Sequence, residues 1–176
     1  MTFPTFKHRL LAIALLCMAS ANIHAQEPSM NGLISQSLSK LQPPTPEACL
    51  NCIAELKRIE AMFPDSIPPK YQTALQCLVF SVSNPHAAQT ENLLAEAEQA
   101  ITQMEQMPHS DPSDVHTLRG FLHMVRIVQD PARNGQRYYI DVMQYFEKAL
   151  KLNPDNQLAQ QLQQKFLEGM KQATKK

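Results

Sequence analysis

The chain has 176 residues, no net formal charge at pH 7, only four glycines and no tryptophan. It is long enough for one domain with a hydrophobic core, and its balanced charge argues against a nucleic-acid-binding protein that depends on phosphate contacts. Gln, Ala, Leu, Met and Glu are frequent, and these residues favour helices. No long stretch alternates β-branched with polar residues, so the composition predicts an all-α protein.

The N-terminal segment has the pattern of a secretory signal peptide. Lys7 and Arg9 precede the apolar run Leu10–Met18, and Ala25 follows as a small residue at a possible cleavage point. This run is shorter than the roughly 20 residues of a membrane-spanning helix. We predict a signal peptide over residues 1–25 and a slightly acidic mature protein, periplasmic or secreted, with no membrane span. A retained anchor is the alternative.

Seven segments with apolar residues at helical spacing follow, and loops that contain proline separate most of them. Thr45 and Asp111 each precede a proline and are predicted N-caps. The apolar stripes contain, in chain order, Met30, Leu33, Ile34, Leu38 and Leu41; Cys49, Cys52, Ile53, Leu56, Ile59 and Phe63; Tyr71, Ala74, Leu75, Leu78, Val79 and Val82; Leu93, Leu94, Ala97, Ile101 and Met104; Val115, Leu118, Leu122, Val125 and Val128; Tyr139, Val142, Met143, Phe146, Ala149 and Leu150; Leu158, Leu162 and Phe166. Seven short helices of this kind predict stacked antiparallel hairpins.

The segment Tyr145–Asn156 joins the sixth stripe to the seventh. Phe146, Ala149 and Pro154 occupy relative positions that resemble the second helix and junction of a tetratricopeptide (TPR) repeat. The resemblance implies a TPR-like α-solenoid over residues 46–176, in which stacked helix pairs expose a groove for protein partners.

Two further segments are predicted, one before this repeat domain and one inserted within it. Residues 26–45 form an N-terminal helix and a proline-rich linker that precede it. Gly120 and Ala149 are compared with the corresponding positions of a repeat whose period is about 34 residues, and about 10 extra residues lie between them. Asp130–Arg137 is the predicted insertion that accounts for this extra length.

Three cysteines remain in the mature chain: Cys49, Cys52 and Cys77. If the second and third helices form a hairpin, Cys52 and Cys77 lie at nearly equal height, because each residue adds about 1.5 Å of helix. We predict a Cys52–Cys77 disulfide, with Cys49 free or exchanging into it, and buried thiols are the alternative. The Cys49–Cys52 spacing also occurs in redox motifs, but no strand precedes this helix.

Basic side chains share one face of the fifth predicted helix. His116, Arg119, His123 and Arg126 fall within about 80° of arc, and Phe121 lies beside the apolar stripe. Because the first helices of TPR pairs line the concave groove in that family, the resemblance implies that this face and Phe121 bind an acidic partner segment. Such binding would strengthen as the pH falls toward 6. The alternative is a solvated face on an otherwise buried helix.

Motifs for catalysis, metals or cofactors are not recognised. The chain contains no Gly-rich phosphate loop, no His-Glu-x-x-His and no nucleophile elbow. Its methionines fall at core spacing, which is more typical of packing than of copper binding. We therefore predict no enzyme activity, no cofactor and no metal.

The function predicted from these features is protein binding. The chain is interpreted as an exported scaffold, chaperone or assembly adaptor that docks a partner segment in a groove lined by the helices near residues 69–82 and 112–129. A periplasmic immunity or inhibitor protein that neutralises a toxic or lytic enzyme is the alternative. A thiol-redox helper that acts through Cys49 is a third possibility.

Overall fold

The computed structural model describes residues 29–173, and the predicted signal peptide lies outside these residues. The described part contains seven α-helices and no strand, which confirms the all-α prediction. The helices are α1 (Met30–Ser39), α2 (Pro46–Met62), α3 (Ile67–Ser83), α4 (Thr90–Gln106), α5 (Pro112–Gln129), α6 (Pro131–Leu152) and α7 (Gln157–Ala173). Within residues 29–173, no helix combines the length and apolar character that crossing a membrane requires.

The predicted N-caps hold the starts of α2 and α5. Thr45 Oγ1 accepts a hydrogen bond of 3.1 Å from the backbone N–H of Ala48, and Asp111 Oδ1 accepts one of 2.8 Å from that of Ser113. A proline occupies the first turn of both helices, where its missing N–H costs nothing. Local sequence therefore fixes where these two helices begin.

Contacts between the helices follow chain order. Each helix contacts the next one, and the odd-numbered helices also contact one another in succession, α1 with α3, α3 with α5 and α5 with α7. Over residues 29–173, the backbones of the even-numbered helices α2, α4 and α6 do not approach one another closely, although Lys57 of α2 forms an ion pair of 2.8 Å with Glu96 of α4. The odd helices therefore form a row of successive contacts, with the even helices packed beside it.

Two clusters of buried apolar side chains hold the helices together. The larger one runs from α2 to α7. The smaller one joins α1 to α2 through four residues, Ile34, Cys52, Leu56 and Ile59. The predicted apolar stripes supply most members of both clusters, so burial of apolar surface is the main force that orders the row.

Helices α5 and α6 approach each other closely at Gly120. A Cβ atom added to Gly120 would lie 2.8 Å from Cε1 of Phe146, whose ring is fully buried. Glycine is therefore required at this crossing, since a methyl group would collide with the aromatic ring.

The predicted insertion Asp130–Arg137 is helical. Asp130 is the single residue between α5 and α6, and its Oδ1 accepts a hydrogen bond of 3.0 Å from the backbone N–H of Arg133. It caps α6, whose first two turns are made from the remaining inserted residues. The extra length thus extends α6 to 22 residues.

A buried polar cluster fixes the α6–α7 junction to α5. Asn156 Nδ2 donates to Ser113 Oγ at 2.9 Å, to Asp114 Oδ1 at 3.1 Å and to Thr117 Oγ1 at 3.3 Å. Its Oδ1 accepts a bond of 3.0 Å from the N–H of Ala159 and so caps α7. Because its hydrogen-bonding groups are satisfied, this buried side chain specifies the junction at little desolvation cost.

The predicted Cys52–Cys77 disulfide is not formed, and all three described cysteines are free thiols. Equal height on two antiparallel helices is not sufficient for a bridge, because the side chains must also face each other. Cys52 belongs to the small cluster with α1, whereas Cys77 belongs to the main core. Burial, the largest cause, raises the pKa of Cys52 to about 11 and that of Cys77 to about 12, which makes both thiols poor nucleophiles.

Candidate binding grooves

The predicted basic face of α5 lies against α4. Arg119 donates from Nε and Nη2 to the two carboxylate oxygens of Glu105, at 2.9 Å each, and from Nη2 to Thr102 at 2.9 Å. Arg126 Nη1 lies 2.7 Å from Glu91 Oε2. These arginines join two helices of the same chain, so their charge is already neutralised there.

The acidic partners repeat with the same spacing as the arginines. Glu91, Glu98 and Glu105 are seven residues apart on α4, and Arg119 and Arg126 are seven apart on the next helix. Hydrogen bonds from these arginines hold the pKa of Glu91 and of Glu105 below its ordinary value. This shared period is the sequence signal that would have identified the pairing.

The histidines of the same face turn toward α6. The His123 ring lies edge-on to Tyr138 at a centroid distance of 4.9 Å and 5.4 Å from Tyr145. His116 lies 5.9 Å from Tyr145, and His123 Nδ1 is 3.4 Å from Asp141 Oδ2. Burial lowers the pKa of both histidines, which moves their protonation to more acidic pH.

These side chains define the outer groove, which has α5 as its floor and α4 and α6 as its walls. Toward the start of α6 it widens into an open cleft of about 490 Å³. Phe121 is not part of it, because this side chain is 3% exposed and belongs to the main core. Binding of a partner by the predicted basic residues stays a prediction, but Phe121 is not available to take part.

Two arginines that sequence reasoning did not select also line the outer groove. Arg133 and Arg137 lie on the first turns of α6, and the guanidinium of Arg137 stands 5.0 Å from the centroid of the Tyr138 ring. Over residues 29–173 neither arginine forms an ion pair with a carboxylate, in contrast to Arg119 and Arg126.

The inner groove lies on the side of the odd helices. It has a volume of about 630 Å³ and is lined by α1, α3, the end of α4, the α4–α5 loop and the start of α5. The lining residues are Asn31, Ile34, Ser35, Leu38, Ile67, Pro68, Tyr71, Gln72, Met104, His109, Asp111 and Asp114. This is the region in which the sequence predicted a docking groove, but its charged residues are two aspartates rather than a basic rim.

The acidic end of the inner groove is partly removed from water. Burial, followed by the negative charge of Asp111, raises the pKa of Asp114, while a hydrogen bond from Asn156 opposes the shift. Burial and the charge of Asp114 raise the pKa of Tyr71 to about 12, so the phenol stays protonated. The groove therefore presents half-buried apolar surface beside a carboxylate, Asp114, whose ionised form is disfavoured by burial.

No group of three His, Cys, Asp or Glu side chains within residues 29–173 is arranged to hold a metal ion. Comparison of the chain with protein-family models, with curated proteins and with solved structures finds no match. The geometry of the two grooves is therefore the basis for the functional argument.

Proposed function

We propose that this chain is an exported, TPR-like helical-repeat module that docks a segment of a partner polypeptide and serves as a scaffold, chaperone or assembly adaptor. The observation that carries the proposal is the inner groove, which is open, is bordered by α1, α3 and α5, and is lined by half-buried apolar side chains such as Leu38 and Tyr71. Clefts of this size and composition are typical of sites that bind ligands.

The order of helix contacts supports a repeat architecture for the proposal. In helical-repeat proteins each unit packs only on its neighbours, and a terminal unit presents a polar outer face to water. Here the helices contact only the next and the next but one. Helix α7 exposes Gln161, Gln164, Lys165 and Glu168, which gives it a polar outer face of the kind that capping units have.

Site-specific photocrosslinking tests the proposed function. A photoreactive residue is placed at Gln72, which lines the inner groove on α3, and, as the matched control, at Gln161, which is exposed on α7 and lines neither groove. Both variants are exported from the source cell, irradiated there and recovered with any attached polypeptide. We expect a discrete adduct from Gln72 that is absent from Gln161.

The nature of the adduct decides between an adaptor and an inhibitor. An adaptor is expected to crosslink to flexible segments, and mass spectrometry of the attached peptides would identify them. A single folded enzyme that loses its activity in the complex would instead favour an inhibitor or immunity protein. Equal labelling from the two positions would argue against docking in the inner groove.

A further inference from the structure

We infer that the partner segment of the inner groove combines apolar side chains with a lysine or arginine. This inference rests on the proposed function, and it reverses the charge of the partner that the basic face of α5 predicted. Three features of the groove lead to it: its apolar surface, the absence of cations from its lining, and the placement of its two carboxylates.

The apolar part of the segment has a defined surface to contact. Leu38 of α1, Ile67 and Tyr71 of α3 line the groove and are each only partly buried. Covering them with aliphatic or aromatic side chains would remove more apolar area from water, at about 25 cal/mol per Å². This contribution would hold a segment in place without specifying its charge.

The lining of the groove has acidic residues and no basic counterpart. Asp111 and Asp114 line it, whereas no lysine or arginine is among the residues that do. Neither aspartate forms an ion pair with any cation over residues 29–173. His109 is the one lining side chain that could become positively charged, and it is exposed on the α4–α5 loop.

The two aspartates keep acceptor capacity for an incoming cation. The hydrogen bonds to Asp111 and Asp114 come from the Ser113 N–H and from Asn156, each to a single Oδ1 atom. An ammonium or guanidinium placed between the carboxylates would relieve their mutual repulsion and form charge-assisted hydrogen bonds. An acidic segment would add a third negative charge to a site where the charge of Asp111 already acts on Asp114, which is electrostatically unfavourable.

Peptide selection on the full mature chain tests the inference. A library of random dodecapeptides is selected on the wild type and on the double variant Asp111→Asn/Asp114→Asn. Asparagine keeps the N-cap of α5 and the oxygen that Asn156 binds, so this variant removes only the charges. The control variant Glu147→Gln/Asp155→Asn removes the same charge from two exposed residues outside both grooves.

We expect wild-type and control selections to enrich peptides that place lysine or arginine next to apolar residues. The strongest peptide should bind the Asp111→Asn/Asp114→Asn variant about tenfold more weakly. Replacing its basic residue with glutamine should produce a similar loss on the wild type, a measurement that does not depend on how the variant folds.

Two results would overturn the inference in different ways. If peptides are enriched without basic residues, or bind the neutralised variant equally well, the predicted charge of the partner is wrong and docking in the groove stands. If the wild type enriches no peptide and the Gln72 crosslinker captures no polypeptide, the proposed function fails as well.

Discussion

The two grooves differ in how their charges are balanced. In the outer groove Arg119 and Arg126 of α5 are paired with Glu105 and Glu91 of α4. In the inner groove the carboxylate of Asp114, on the same helix α5, lies without a cation among the described residues. A cluster of like charges in a sequence is therefore a poor guide to a binding site until the neighbouring helix has been considered.

The difference follows from which helix faces each side of α5. On the outer side, α4 repeats glutamates at the spacing of the arginines, and the pairs join the two helices. On the inner side, α1 and α3 contribute apolar and uncharged polar side chains to the groove. The outer groove thus holds its charges in ion pairs between helices, while the inner groove leaves its carboxylates without a cation among residues 29–173, as the proposed binding of a basic segment requires.

The largest expected effect concerns the α6 wall of the outer groove. Gly120→Ala places a methyl group 2.8 Å from the Phe146 ring, and displacing a buried ring should lower the free energy of unfolding by about 1–3 kcal/mol. Gly135→Ala is the matched control, because a Cβ atom there meets nothing within 4 Å. The control should stabilise α6 by about 0.5–1 kcal/mol.

Urea denaturation of the wild type and both glycine variants measures this difference. Since both substitutions are made within helices, their helix-propensity gains are similar and only the contact with Phe146 distinguishes them. Equal stability of the two variants would show that the α5–α6 crossing has room to adjust.

A smaller effect is expected from the ion pairs between α4 and α5. A double-mutant cycle with Arg119→Ala and Glu105→Ala should give a coupling energy of about 1 kcal/mol, because the pair is bidentate and Arg119 has a side chain only 14% exposed. The cycle with Arg126→Ala and Glu91→Ala should give about 0.5 kcal/mol or less, since Glu91 is 67% exposed.

Salt provides the control for the two cycles. Raising the ionic strength should weaken the more exposed Arg126–Glu91 coupling more strongly, because solvent screens exposed charges. If both couplings are near zero, the outer groove does not derive stability from its charges, and its arginines are available to a partner after all.

Much of the fold could be predicted because its signals are local. Apolar spacing identified the seven helices of residues 29–173, and Thr45 and Asp111 were placed correctly as N-caps. The start of α6 carries the same kind of signal, since Asp130 precedes Pro131 as a cap precedes a first-turn proline. That pattern could have shown that the inserted residues 130–137 extend a helix.

The features that sequence reasoning missed depend on the directions in which side chains point, and local sequence patterns do not give these directions. Cys52 and Cys77 are at similar heights but belong to different apolar clusters. The basic face of α5 could not be assigned to α4 without knowing how α5 is rotated about its axis. Asp114 was not selected as a site residue, because the groove that it lines is bordered by α1, α3 and α5, which are distant from one another in sequence.

The smallest expected effect concerns how one ionised carboxylate in each groove changes the free energy of unfolding. The sign of this change should be opposite in the two grooves. The pKa of Asp114 is raised, mainly by burial, so its ionisation opposes folding at pH 7 and ceases to do so as the pH falls below its folded pKa. Asp114→Asn should therefore raise the free energy of unfolding at pH 7 by about 0.5 kcal/mol, and the gain should decline as the pH falls through the folded pKa and vanish below 3.8.

Glu105→Gln is the counterpart in the outer groove. Because Arg119 lowers the pKa of Glu105, the ionised carboxylate favours folding at pH 7, and that contribution is lost as the pH falls from 4.5 through its lowered folded pKa. The variant should be less stable than the wild type at pH 7 and converge with it in acid. Denaturant titrations at pH 7 and at about pH 3, where both carboxyls become largely protonated, measure both variants. A destabilised Asp114→Asn at pH 7 would mean that its carboxylate supports the fold, whereas a stabilised variant that no longer binds basic peptides would show that the inner groove sacrifices stability for binding.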